Sequence, residues 1–417
     1  MGEKVKASRL AVLLPIAALA ACMAQSRADA DRDLAERARA IQDSVITIDT
    51  HDDIPGNFAT PEVDPLDAPR QVSLTKMKDG GLDVAFFAVF VGQTPRTPEN
   101  YEAAKAAAME KFDAIHRMAE KMYPGLIEIA YTPADVRRIH ESGKLVAAIG
   151  IENGYVIGKD IGLVRKYYDL GARYMTLAHT RNNDICDSST DPDGPEHHGL
   201  SAFGKKVVAE MNRVGMMVDV SHVSKECMMQ ATALSKAPVI ASHSSTTAVA
   251  NVPRNMDDEQ LEAVKKNGGV VQIVAFDGYV KEPVPEKRAA IDSLRQKLGL
   301  TERGAFRDMT ADKRTVYDSE MAVIEKKWPR ANVQEFVDHI DHAVKLIGID
   351  HVGISSDFDG GGGVTGWDDA SETRNVTTEL VKRGYTTEQI RKLWGGNVLR
   401  VWSECDSLAT AARGATA

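Results

Sequence analysis

Eight short apolar runs, rich in β-branched residues, each stop at a residue able to bind a metal or move a proton. They are Val45-Ile46-Thr47-Ile48 before Asp49-Thr50-His51-Asp52-Asp53, Val84 to Val91 before Gly92-Gln93, Val146 to Ile151 before Glu152, and Tyr174-Met175-Thr176-Leu177 before His179. The series continues with Met216 to Val220 before His222, Val239-Ile240-Ala241 before His243, Val270 to Ala275 before Asp277, and Val352-Gly353-Ile354 before Asp357. Stretches of helical composition separate them. Short buried strands that alternate with helices pair in parallel, because each parallel connection needs a crossover long enough to hold a helix. Eight such units predict an α/β fold, a closed TIM-like (β/α)8 barrel, whose active site gathers where the strands end.

A chain of 417 residues accommodates one large barrel with insertions or two ordinary domains. From Ile41 to Cys405 it reads as one domain, with 22–40 as a polar tether and 406–417 as a tail. The stretch from Lys281 to about Asn332, between the seventh and eighth runs, is charged and helical in composition; it predicts a solvated helical insertion, with a lid or an oligomer contact as other uses. The net charge is −9 with acids and bases interspersed, and Lys and Arg form no run beyond the N-terminus, which argues against nucleic-acid binding.

Residues 1–21 read as an export signal: Lys4, Lys6 and Arg9 precede an apolar stretch from Leu10 to Ala21 that is short for a permanent membrane span. Leu19-Ala20-Ala21-Cys22 resembles a lipobox, which would leave Cys22 as an acylated N-terminus and place the protein in the periplasm or cell envelope on a lipid anchor. A cut after Ala28-Asp29-Ala30, releasing a soluble secreted protein, is the alternative. Cys186, Cys227 and Cys405 are too widely spaced for a disulfide framework or a zinc cluster. One bridge plus a free thiol is open to them, but burial as small apolar residues is the expectation.

The run ends hold a coherent donor set. His51 and Asp53 stand two apart, so their side chains leave an extended strand on the same side. An all-apolar run delivers Glu152, and two successive runs end in Ser221-His222 and Ser242-His243. Three imidazoles and two carboxylates suit two zinc ions, with His51 and Asp53 on one, His222 and His243 on the other, and Glu152 bridging. Two such ions can activate a shared water at neutral pH. His-Glu-x-x-His is absent, which excludes a zincin-type helix site. His197 and His198 fall in a polar loop from Asn182 to Gly199 and are expected to be solvated rather than ligating.

These residues stand in motifs that resemble the renal or membrane dipeptidase family from about Val45 to Trp402. The motifs are Asp49-Thr50-His51-Asp52-Asp53, Gly150-Ile151-Glu152-Asn153-Gly154, Leu177-Ala178-His179, Val218-Asp219-Val220-Ser221-His222-Val223-Ser224, Ser242-His243-Ser244-Ser245, Asn251-Val252-Pro253-Arg254-Asn255, Asp357-Phe358-Asp359-Gly360 and Gly396-Asn397-Val398-Leu399-Arg400. The resemblance implies a (β/α)8 barrel with a dinuclear zinc site and the same five ligands. It further implies that Asp357 is general base and then acid, that His179 stabilises the oxyanion, and that Arg254 pairs with the substrate's terminal carboxylate.

The expected function is hydrolysis of the peptide bond of dipeptides, L,L and also L,D, by attack of a hydroxide shared between the metals. Another amidohydrolase-type reaction, on a lactone or cyclic amide, is the nearest rival; His-x-Asp and Glu152 in place of His-x-His and a modified lysine weigh against it. A catalytically silent surface lipoprotein is the rival from another class, although all five ligands and Asp357 are present. A homodimer is the assembly left open.

Overall fold

The computed structural model describes residues 29–301 and 309–415; the export signal and Cys22 lie outside the described residues. Nine strands form one sheet: β1 (Ile48–Asp53), β2 (Val84–Phe90), β3 (Ile127–Ile129), β4 (Leu145–Glu152), β5 (Ala172–Thr176), β6 (Met217–Asp219), β7 (Ile240–Ser244), β8 (Val270–Val274) and β9 (Val352–Ser355). Eight of them pair in parallel in the order β1-β2-β4-β5-β6-β7-β8-β9, and β3 adds to the edge of β4 outside this path. The Asp53 N–H donates to the Phe358 carbonyl at 2.8 Å, and a parallel bridge between Asp52 and Phe358 joins the first strand to the segment after the last. The barrel is thereby closed, as the eight alternating units predict.

Alternation along each strand splits the core in two. Val84 and Phe86 of β2, Val146 and Ala148 of β4, Tyr174, Met217, Ile240 and Val270 cluster inside the barrel, whereas Ala85, Phe87, Val89, Ala147, Ile149 and Ile151 pack outward against the helices. Val398, Leu399, Val401 and Trp402 of the C-terminal helix Asn397–Ala415 belong to the inner cluster. The Trp402 ring meets Phe86 at 5.8 Å, and Phe86 meets Tyr174 at 5.5 Å. An aromatic column thus rises from this helix to the mouth. Truncating so deeply buried an indole as Trp402 to alanine costs about 3–5 kcal/mol.

The folded body reaches past the expected limits of 41 and 405. A helix covers residues 29–42, with Ala38 and Gln42 buried and Leu34 and Ile41 packed on the core. The C-terminal helix continues through buried Ala409. The insertion contains the helices Pro285–Lys297 and Ala311–Lys327, largely solvated, and Asp277 anchors it by accepting from the Ala331 N–H at 2.6 Å and from Lys287 Nζ at 3.3 Å. Among the described residues no helix is long and apolar enough to cross a membrane.

The cysteines depart from the expectation of separate burial. Cys186 and Cys227 form a disulfide across a Cα separation of 6.0 Å, and among the described residues Cys405 is left as a buried free thiol. The loop after β5 folds back over the helix Lys225–Leu234, so residues 41 positions apart meet. The same loop is firmly held. Buried Asp187 accepts from the N–H groups of Glu196, His197 and Gly199, and His197 Nε2 bonds the Asn183 carbonyl at 2.8 Å.

Candidate active site

His51, Asp53, Glu152, His179, His222, His243 and Asp357 come together in three overlapping donor groups, and backbone and glycine positions set their geometry; Gln93 and Asp277, at the remaining strand ends, lie apart from them. Glu152 is the last residue of the wholly buried strand β4. After it the chain turns through Asn153 at φ 78°, whose side-chain oxygen accepts from the Tyr155 N–H. His222 (φ 67°) and Asp357 (φ 60°) also hold left-handed backbone. Such conformations are unfavourable for residues with a Cβ and persist where the surroundings impose them, as they do at functional sites. Gly360 supplies the close approach behind Asp357: a Cβ there would lie 2.3 Å from both Asp357 Oδ1 and Asp53 Oδ2.

Glu152 is the hub. Its Oε2 lies 3.5 Å from His51 Nε2, whereas its Oε1 faces the Nε2 atoms of His222 at 3.1 Å, His179 at 3.3 Å and His243 at 3.4 Å. His51 Nε2 is also 3.6 Å from Asp53 Oδ2, and Asp357 joins His51 and Asp53 in one compact donor group. Donor atoms bound about 2.1 Å from a common tetrahedral ion stand about 3.4 Å apart, which is the spacing found. His51 Nε2, which faces this group, is buried without a hydrogen-bond partner. His222 Nε2 and His243 Nε2 face one another at 2.8 Å, an arrangement that only a shared cation or proton relieves. The residues therefore fit a divalent metal centre.

The surrounding hydrogen bonds settle which nitrogen His51 and His243 present. The Tyr174 hydroxyl spends its proton on the Thr50 carbonyl at 2.9 Å, so at 2.8 Å it accepts from His51 Nδ1, which points Nε2 at the site. Ser242 Oγ donates to Asp219 Oδ2 at 2.6 Å and therefore accepts from His243 Nδ1 at 2.8 Å, with the same result. Orienting partners of this kind fix imidazole tautomers around metals. Space for the Tyr174 phenol comes from Gly150, whose Cβ would fall 2.0 Å from Tyr174 Cζ. Tyr174, Ser242 and Asp219 in these roles escape sequence reading; a tyrosine facing inward from an apolar strand is the signal that points to the first.

Charges of the site's own side chains oppose one another. Burial alone would raise Glu152, but the charges of His179 and His51 and hydrogen bonds outweigh it and hold the carboxyl well below its usual range. His51 is displaced well above its usual value: burial opposes this, and Tyr174, Glu152 and Asp53 outweigh burial. Burial, reinforced by Arg254 for His222 and by His51 for His243, keeps those two imidazoles neutral, the form that ligates. Burial also pushes Asp357 well above the carboxylate range.

Two further groups complete the pocket. The His179 ring lies between Phe90 at 4.8 Å and His222 at 4.1 Å, and its side chain is 18 % exposed where that of His51 is sealed. Arg254 is buried rather than a surface charge: its guanidinium lies 5.1 Å from the centre of the Tyr279 ring, one nitrogen donates to the His243 carbonyl, and Nε has no partner.

The pattern of the membrane dipeptidases, peptidase family M19, matches residues 35–415. The chain belongs to the membrane dipeptidase family. A similar solved structure is the probable dipeptidase PvdM from Pseudomonas aeruginosa, with 34 % identity, a TM-score of 0.80, and 91 % of this chain and 100 % of that one covered. Dipeptidase verJ of Clonostachys rogersoniana is 33 % identical over 91 % of this chain and 89 % of its own length. Dipeptidase tcpJ of Claviceps purpurea is 33 % identical over 84 % of this chain and 72 % of its own. This membrane dipeptidase family member is a metal-dependent hydrolase of dipeptides.

Proposed function

We propose that this dipeptidase works with two zinc ions, one on His51 and Asp53, the other on His222 and His243, with Glu152 shared. The observation that carries the reading is the division of Glu152, one carboxylate oxygen toward His51 and the other toward His222 and His243. Nitrogen and oxygen donors without thiolate suit zinc in an open, catalytic site. When bound, the ions supply Lewis acidity and an activated water at neutral pH.

The chain's own residues do the rest. Arg254 holds the terminal carboxylate of the dipeptide by charge-assisted hydrogen bonds, and its buried, unpartnered Nε supports that role. A longer peptide would place a neutral amide there, so the anchor selects dipeptides, L,L or L,D alike. Asp357 takes a proton from the attacking water and passes it to the leaving amine. His179, open to the pocket, donates to the carbonyl oxygen as negative charge develops on it. The disulfide supports export to the periplasm or cell envelope, because such bonds persist in oxidising compartments. Acylation of Cys22 would tether the enzyme there.

Zinc analysis and a dipeptide panel test this reading. Two zinc ions per chain are expected, with turnover lost in Glu152→Gln and Asp357→Asn; intact turnover in either metal-replete variant refutes the mechanism. Labelling with a radioactive fatty acid, lost in Cys22→Ser, checks the anchor.

A further inference from the structure

The helix Pro98–Arg117 turns a stripe of Ala104, Ala108, Lys111 and Ile115 toward the protein interior, and one member is a lysine. The two alanines give the long side chain room. Lys111 is only 9 % exposed, and its Nζ lies 5.7 Å from the centre of the Phe90 ring, the ring tilted against His179. Asp53 and Glu152 are near enough to act on it electrostatically, yet no carboxylate among the described residues pairs with it. Buried charges are ordinarily paired, because desolvating an ammonium without a counter-charge is unfavourable. Lys111 is thus a buried amine beside the active site with no carboxylate among the described residues paired to it; burial lowers its proton affinity, Asp53 and Glu152 oppose that, and an acidic partner would restore its charge.

We propose that Lys111 pairs with an acidic side chain on the N-terminal residue of the dipeptide, so that Glu-Xaa and Asp-Xaa are preferred substrates. The inference rests on the dipeptidase reading above, with Arg254 as the anchor of the terminal carboxylate. Arg254 follows β7 and lies over Tyr279, whereas Lys111 lies near the ring of Phe90, the last residue of β2, and within electrostatic reach of Asp53. A substrate held with its C-terminal carboxylate on Arg254 and its other residue toward Lys111 would use both cations. The Phe90 ring, close to both Lys111 and His179, would give the methylene groups of a glutamate an apolar wall.

The test compares kcat/KM for L-Glu-L-Ala with that for its neutral isostere L-Gln-L-Ala, and L-Ala-L-Glu with L-Ala-L-Gln, on zinc-loaded full-length protein. A charge-assisted contact predicts that the wild type prefers Glu over Gln in the first pair by about tenfold to a hundredfold. The second pair should show no such preference. In Lys111→Met the Glu/Gln ratio of the first pair should fall to about one, and Lys111→Arg should restore part of it. A wild-type ratio near one, a preference confined to the second pair, or a ratio unchanged in Lys111→Met overturns the proposal. The wild-type comparison decides the matter even if the variants fail to fold. Turnover of L-Ala-L-Ala without acid preference leaves the dipeptidase reading standing and removes only the role of Lys111; absence of turnover on every dipeptide removes both.

Discussion

Tyr174 and Gly150 should act on metal binding through one hydroxyl. Tyr174→Phe removes the acceptor that fixes His51 Nδ1 at 2.8 Å and leaves the Thr50 carbonyl without its donor. Losing such an orienting partner weakens metal binding about tenfold to a hundredfold, or ~1.4–2.7 kcal/mol. Gly150→Ala reaches the same hydroxyl by steric means. Its Cβ would fall 2.0 Å from Tyr174 Cζ, and ordinary contact begins at 3.4 Å, so the phenol must retreat by about 1.4 Å. That retreat breaks the bond to His51 and adds an overpacking penalty of about 1–3 kcal/mol to folding. Zinc affinity is measured by competition with a chromophoric chelator in wild type, both single variants and the double variant. Each single variant should lose affinity, and Gly150→Ala should add little once the hydroxyl is gone. Additive losses, or wild-type affinity in Tyr174→Phe, would refute the role given to this hydroxyl.

Arg254→Met should raise KM for dipeptides about a hundredfold and remove discrimination against the corresponding dipeptide amides, since one partner of a buried ionic contact is lost; steady-state kinetics on an acid and amide pair checks it. For Asp357, burial raises the folded-state value above 3.8 in the metal-free protein, so in that window the folded chain holds a proton that the unfolded chain has released, and stability falls as pH rises. Asp357→Asn should therefore melt higher than wild type near neutral pH without metal, lose that advantage below pH 3.8, and be inactive; equal melting temperatures at neutral pH count against this. Replacing Cys186 and Cys227 by serine opens a loop closed across 41 residues, with an expected loss of ~4 kcal/mol, read as a lower denaturant midpoint that reductant reproduces in the wild type.

The barrel was legible because its strands are buried on both faces, so that Val84 to Val91 or Val146 to Ile151 reads as a continuous apolar run that stops at the mouth. The donor set was legible for the same reason, each member standing at or just past a run. Ile127-Glu128-Ile129 escaped notice because a three-residue strand on the outer edge of β4 carries too little periodicity. The helix over 29–42 reads as polar tether because only a narrow stripe, Leu34, Ala38, Ile41 and Gln42, meets the body. Partners far apart in the chain were hidden altogether: Cys186 with Cys227, Tyr174 with His51, and Lys111 with Phe90 are long-range meetings that local pattern does not record.

The bond that closes the barrel joins the Asp53 N–H to the carbonyl of Phe358, the residue after Asp357. The beginning and the end of the folding unit are thus stitched together at the very atoms that neighbour the chemistry. A nascent or proteolytically shortened chain that lacks its last βα unit would lose Asp357 and also the stitch that holds Asp53 in register. A fragment ending before the last strand should therefore hold metal more weakly than the full chain and show no hydrolase activity.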